Sequence, residues 1–398
     1  KGKEVDPRKV GRELNVRTLL VGRILQQGDL LVIRVELVDT LDGTQLWSEQ
    51  YERKRADVLA IQEEISQQIS EKLRLNLTGE EQKLLTKRNT NNFEAYYLYL
   101  NGRYFWNQRS DQSLETAIDF YQRAISLDPN YAQAYAGMAD SYALLYDGGP
   151  KRDEARRKSE LFALKALSLD ANLAEAHATL GFIKTFRDWD WTAAEANFKR
   201  SLTLNPDYAT AHHWYSILLL IQGRLEAASE EIKRAKELEP RSFPINKDIG
   251  ELLFFERRYD DAIAQFRRTI ESEPTNSNVD YAHFFIRNAY DQKGDLEAAI
   301  KELHQTSTSQ QEIAELKQAF EQGGANKYWQ KRLEIRQRNA SPHDPKGRMR
   351  LVLAYAAAGN VEQAMPLLEK AINEDRHDGV LYLKTDPRFD NLRSRLKP

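Results

Sequence analysis

The sequence predicts a mostly α-helical protein, with a right-handed solenoid of stacked helix pairs over residues 93–377 and a small α/β domain over 1–77 before it. Three observations predict it. Pro206, Pro240 and Pro274 recur at a period of about 34 residues, a length typical of a repeat that stacks on itself. Each stretch between them reads helix, break, helix, with small and aromatic residues at set offsets. From Arg17 to Glu52, by contrast, apolar residues alternate with a period of two, which is the period of strands.

In the first domain, Asp6 and Pro7 suit the cap and first turn of a short helix. Arg17–Gln26 reads as a strand, Gly28-Asp29 as a tight turn and Leu30–Asp39 as a second strand with Leu31, Ile33, Val35 and Leu37 on one face. Asp42-Gly43 is a hairpin signal, and Gln45–Glu52 makes the third strand of an antiparallel meander, with Trp47 joining the inner face. A helix from Ala56 to about Leu77 covers the sheet, with Val58, Ile61, Ile65, Ile69 and Leu73 spaced three and four apart. This is a thin core with one unpaired sheet edge, and such an edge is a template for pairing with a second copy. A homodimer through the N-terminal sheet edge is therefore one candidate assembly.

The two hairpins and the strand Leu46-Trp47-Ser48-Glu49-x-Tyr51 resemble the second half of a TolB-N-like module, over residues 3 to about 75. The resemblance implies a bacterial multidomain regulator in which this module stands between an output domain and a repeat array. It also implies an upstream strand, helix and strand, so the sequence reads as a fragment of a longer protein. That part would hold a Ser/Thr kinase, a nucleotide cyclase or a winged-helix DNA-binding domain.

Residues 78–92 are polar and form the linker. The repeats follow. Small residues recur where two helices must approach, as at Ala117 and Ala124, Ala163 and Ala166, Gly181 and Ala194, Ser216 and Ala228, Gly250 and Ala262. Large ones recur between them, as at Tyr121, Phe198 and Phe266. The pattern resembles the tetratricopeptide repeat (TPR), with about seven helix pairs. The second pair has a longer inter-helix loop, residues 146–154, and the third has an extra residue near Trp189. Residues 309–338 are helical but out of register, broken at Gly323-Gly324, and the last pair runs from Lys346 to Asn373. Residues 378–398 resemble the C-terminal cap of the same regulators, and a cap must hide the last apolar face.

Composition narrows the function. A net charge of −2 with 30% charged residues is not the basic excess of a nucleic-acid binder. There is no cysteine, so thiolate chemistry and cysteine–zinc sites are excluded. No apolar run in the sequence is as long as a membrane helix requires, and the compartment is not indicated. No phosphate-binding glycine loop, nucleophile elbow or metalloprotease motif is present. His212 and His213 are neighbours on one helix. Their side chains point about 100° apart, so they do not chelate one metal. Asp190 reads as a helix cap rather than half of a carboxylate pair. No catalytic residue, cofactor or metal is assigned.

The feature with functional content is the face lined by the first helix of each pair. Repeat offsets place Phe182 and Phe186 on it from the third pair, then His213, Trp214 and Ile217 from the fourth. The fifth adds Lys247, Glu251, Phe254 and Phe255, and the sixth adds Tyr281, Phe284 and Asn288. Aromatics with a few polar groups compose a recognition surface. The expectation is a non-catalytic interaction module, scaffold or sensor, that holds a protein or peptide segment by apolar anchors. Lys247 stands nearly alone among the bases, which disfavours capture of a C-terminal carboxylate. The rival is a small-ligand receptor or enzyme using the aromatic face as a pocket.

Overall fold

The structure is a computed structural model and describes residues 6–14, 16–54, 57, 60, 61, 64, 65, 68, 69, 89–145, 149–340, 344–374 and 378–395. The chain forms two compact units, Lys1–Tyr104 with Thr116–Met138, and Phe105–Glu115 with Ala139–Pro398.

In the first unit, helix α1 (Pro7–Leu14) starts where the Asp6 carboxylate accepts from the Arg8 amide at 3.0 Å. Strands β1 (Thr18–Gln27), β2 (Leu30–Asp39) and β3 (Gln45–Lys54) pair antiparallel in that order. Gly28 and Gly43 take the left-handed conformations that their turns require. The alternation of β2 puts Leu31, Ile33 and Val35 on one face, where they cluster with Tyr51, Ile61 and the half-buried Trp47 and Ile65. Residues 60, 61, 64, 65, 68 and 69 are helical, while Val58, Leu73 and the linker through residue 88 lie outside the described residues. β1 and β3 are the edges of this sheet among the described residues, and β1 exposes Leu20, Leu25 and Ile24, the last to 70%.

Helices α2 (Phe93–Trp106), α3 (Asp111–Leu127) and α4 (Ala132–Leu144) begin the array. Gly102 of α2 and Gly137 of α4 both abut the ring of the fully buried Tyr121. The rule that small residues admit close helices therefore holds from the first pair.

The second unit carries the rest. Its pairs are α4 with α5 (Gly149–Leu169), α6 (Ala174–Ile183) with α7 (Trp191–Leu204), and α8 (Ala209–Gln222) with α9 (Leu225–Leu238). Then come α10 (Phe243–Phe255) with α11 (Tyr259–Ser272), and α12 (Val279–Lys293) with α13 (Leu296–Glu302). The long loop expected over residues 146–154 is corrected: α5 already begins at Gly149. α14 (Gln310–Asn339) folds back on itself at Gly323 and Gly324, whose torsions are not helical. Its arms meet where Arg338 reaches Glu315 at 3.2 Å and Asn339 donates to Glu312 at 2.7 Å. The last pair is α15 (Pro345–Ala357) with α16 (Val361–Asn373).

The interior is packed to contact. A Cβ built on Gly250 would sit 2.7 Å from the ring of Phe266, and one on Gly181 would sit 2.8 Å from that of Phe198. Neither ring can retreat, because both are fully buried. Gly250→Ala is expected to cost about 1–3 kcal/mol by overpacking, although alanine favours the helix. Urea unfolding measures it, and an unchanged midpoint would show that the helices can separate at no cost.

Outside the second pair, whose turn lies beyond the described residues, first helices end in a left-handed residue. Glycine supplies it at Gly223, Gly294 and Gly359, the usual C-terminal cap. The corresponding turns of the first, third and fifth pairs use Arg109, Trp189 and Arg257 instead, at φ 61, 59 and 62°. A side chain in that conformation costs about 1–2 kcal/mol, so these positions give up the easier residue.

Candidate functional site

The side of the second unit built by first helices is occupied by the chain's own C-terminal segment. After α16, residues 378–393 form two short 3-10 turns (Asp378–Tyr382 and Pro387–Phe389) and helix α17 (Asp390–Arg393). Val380, Phe389 and Leu392 seal the last pair, clustering with Met349, Val352, Ala356 and Leu368. The opposite flank of the segment runs along α5 and the earlier first helices.

Its contacts come in order. Asp378 accepts from Arg156 of α5 at 2.8 Å and pairs with Arg152 at 3.2 Å. Arg156 also donates to the Phe186 carbonyl at 3.1 Å. The Tyr382 ring stacks on Phe255, with centroids 5.3 Å apart and planes 6° from parallel. Lys384 donates to the Gln222 carbonyl at 2.6 Å, at the end of α8. Arg388, held by Asp386 at 2.6 Å, lies 5.7–5.8 Å from the ring centres of Phe254, Phe284 and Phe285. Asp390 accepts from Arg257 at 2.9 and 3.0 Å.

This segment gives Trp189 and Arg257 a reason for their backbone. A five-residue π-helical turn, Lys184–Asp188, absorbs the extra residue of the third pair and delivers Trp189 against the C-terminal cluster. Arg257 grips Asp390. Strain persists where the surroundings hold it and a side chain is needed. Repeat offsets point to neither residue, nor to Arg152 and Arg156. The signal available in sequence is the lapse of glycine at the ends of the third and fifth first helices.

The residues singled out in sequence fall into three groups. Phe182, Phe186, Trp214, Phe254 and Phe255 make up the aromatic group: Phe182 lies 4.6 Å from Phe186 and 4.7 Å from Trp214. Phe254 meets Phe255 and Phe285 edge-on. Apart from the half-buried Phe186, these rings are buried, which corrects the expectation that they form an exposed recognition surface: their density serves packing. Tyr281 and Phe284 are the solvent-facing members, 41% and 37% exposed. Asn288 is buried and faces a separate cavity.

The third group is polar. His213 bonds Asp248 at 2.6 Å, and Lys247 bridges Asp248 at 2.5 Å and Glu251 at 2.9 Å while facing the Tyr281 ring at 4.4 Å. Lys247, Asp248 and Glu251, with the half-buried Ile217 and with Tyr382, line a cavity of about 140 Å³. Burial, and then the charge of Asp248, push the Glu251 carboxyl up to about 7 against the pull of Lys247, as a desolvated acid beside a like charge must shift. Burial opposes ionisation of Asp248 too, but Lys247 and His213 hold its carboxyl well below the usual range. The acids satisfy Lys247 internally, so it is not offered to a ligand's carboxylate. A space of this size is smaller than ordinary ligand pockets. Elsewhere, His212 bonds Glu231 at 2.5 Å and the Pro206 carbonyl at 2.9 Å, and Asp190 caps α7 through the Ala193 amide.

The repeat unit is matched directly. Residues 109–145 match the family model described as TPR repeat, and residues 189–242 and 247–307 match the model described as tetratricopeptide repeat. The array is a tetratricopeptide-repeat array. Over 185 residues, 45% of this chain and 31% of the relative, the chain is 32% identical to "Putative adenylate cyclase 3" of Rhizobium meliloti. Over 174 residues, 44% and 31%, it is 26% identical to "Transcriptional regulator HilA" of Salmonella typhimurium. The matched region spans about a third of the length of these relatives. The chain is thus a TPR-repeat protein related to the TPR regions of a putative adenylate cyclase and of HilA-type regulators. Among solved structures it is similar to PilW, a widely conserved type IV pilus biogenesis factor, at a TM-score of 0.41 and 18% identity, covering 53% of this chain and 91% of that one. TPR arrays are typically protein–protein interaction modules.

Proposed function

We propose that this chain is the non-catalytic interaction half of a bacterial signalling protein. It binds an extended peptide or protein segment along the first-helix face of its TPR array. The observation that carries the reading is the seating of residues 378–393: an aromatic, flanked by an acid and a base, docks on side chains and carbonyls of successive helices, as in a bound peptide. The partner's chemistry follows from the occupant. It carries an acidic residue for Arg152 and Arg156, an aromatic for Phe255, and a cation or ring for the exposed edge at Tyr281 and Phe284.

The N-terminal sheet belongs to this reading as a TolB-N-like module, on the hairpin and Leu-Trp-Ser-Glu-x-Tyr motifs. The relatives' names, a cyclase and a transcriptional regulator, support a role as sensor or scaffold for an output of one of those kinds.

Tyr281 and Phe284 provide the test, because they are the most exposed of the aromatic residues singled out on this face. A fluorescent peptide with the spacing of Asp378, Tyr382 and Arg388, Asp-x-x-x-Tyr-x-x-x-x-x-Arg, should bind the chain once Asp378→Lys with Tyr382→Ala has freed the face. Tyr281→Ala with Phe284→Ala should weaken that binding at least about tenfold, the effect of losing anchor residues at an interface. Fluorescence anisotropy reads it, and equal affinity for both proteins would move the binding surface away from this face.

A further inference from the structure

A second cavity, of about 620 Å³, opens between α12, α14, α15 and the C-terminal segment. Its volume lies within the range of small-molecule sites. Arg287, Arg332, Arg336, Arg350 and Arg388 all border it. Arg332 is paired with Asp291 at 2.5 Å, and Arg388 is paired with Asp386. Arg336 and Arg350 make no hydrogen bond or ion pair among the described residues. The acids on the wall are largely engaged: Asp291 holds Arg332, Glu312 accepts from Asn339, and Asp390 accepts from Arg257. Asp280, in the first turn of α12, is the remaining one.

Asn288 adds an independent feature. It is 3% exposed, and its Oδ1 accepts from Arg287 at 2.6 Å. Its Nδ2 is buried and has no hydrogen-bond partner among the described residues. A buried donor left unpaired is costly, and this residue borders a cavity walled by guanidinium groups. The aromatic faces nearby are already covered: Arg332 lies over Trp329 and Arg287 over Phe284, each at 5.1 Å. Apart from Asp280, the described lining offers its free guanidinium groups no unengaged acceptor with negative charge.

We propose that this cavity binds a small polyanion, one carrying two or more phosphate or carboxylate groups, through Arg336, Arg350, Arg287 and Asn288 Nδ2. Guanidinium forks match both oxyanions. The electrostatics agree with the geometry. Burial and then the Arg332 charge pull the Arg287 pKa down to about 9, and the same two causes lower that of Arg336. An anion in the cavity relieves that crowding.

The test uses the full chain and two named probes, pyrophosphate and citrate, with sodium chloride at matched ionic strength as reference. One or both should raise the thermal midpoint beyond the chloride control and saturate. Which of them does so distinguishes a phosphate-selective from a carboxylate-selective site. Arg336→Gln with Arg350→Gln should weaken the apparent affinity at least about tenfold, as expected for loss of charge-assisted hydrogen bonds. The same variant should not lower the midpoint without ligand, since it removes repulsion, and Arg336→Lys should retain binding. A shift no larger than that of chloride, or one that persists undiminished in the double glutamine variant, overturns the proposal.

Discussion

Asp378→Lys combined with Tyr382→Ala will favour opening of residues 378–393 from the first-helix face while α8, α10 and α12 stay folded. The lysine would stand against Arg152 and Arg156, which now share the Asp378 carboxylate. Breaking a buried pair and leaving like charges together costs about 3–5 kcal/mol. The cost is less here because Asp378 is 28% exposed, and solvent screens it. The alanine removes the stack on Phe255, worth about 1 kcal/mol beyond its burial. Together the two changes should cost about 2–4 kcal/mol of local stability, or roughly 30-fold to 1000-fold in the opening equilibrium. Hydrogen exchange should show this loss at amides 378–393, with protection in α8, α10 and α12 retained. Simultaneous loss in those helices would mean that the segment is an inseparable part of the fold.

Glu251→Gln will stabilise the protein at pH 8 and leave it unchanged at pH 4. The carboxyl is raised to about 7 by burial and by Asp248, against an ordinary value of 4.5. Between those values the folded chain holds a proton that the unfolded chain has released. Stability therefore falls as pH rises from about 4.5 to 7 and is level above. The whole span amounts to as much as about 3 kcal/mol. Asp248 works in the opposite sense and lower down. Its depressed carboxyl adds stability that is present above its ordinary value of 3.8 and lost as pH falls toward its folded value. Glutamine keeps an acceptor for Lys247 and has no proton to lose, so the slope between about pH 4.5 and 7 should flatten. Denaturant midpoints across that range measure it. A variant less stable than the parent at pH 8 would show that Glu251 is chiefly an ionised partner of Lys247.

The fold is legible in the sequence because each repeat restates the same packing problem. Gly181 against Phe198 and Gly250 against Phe266 are one contact written twice, two repeats apart. The meander is equally readable, since a period of two on β2 leaves only one face for Leu31, Ile33 and Val35. The site is legible in part. Offsets along a first helix say which side faces inward, and they find the aromatic group and the Lys247–Glu251 cluster. They do not say what fills the space, because residues 378–393 have no periodic signal. Their contacts join positions such as Arg156 and Asp378, which are 222 apart in sequence. The arginine-lined cavity escapes for the same reason, since its walls come from α12, α14, α15 and the terminal segment together. Trp189 and Arg257, which the structure shows holding that segment, are visible in sequence only as missing glycines.

On the proposed function, residues 378–393 occupy the face that a peptide partner would take. A labelled peptide of residues 378–395, titrated against the parent chain and against the chain carrying Asp378→Lys and Tyr382→Ala, tests this most directly. The peptide should bind the variant saturably and the parent at least about tenfold more weakly, because in the parent the tethered copy competes at high effective concentration. Absence of saturable binding to a variant whose helix pairs remain folded would contradict the claim.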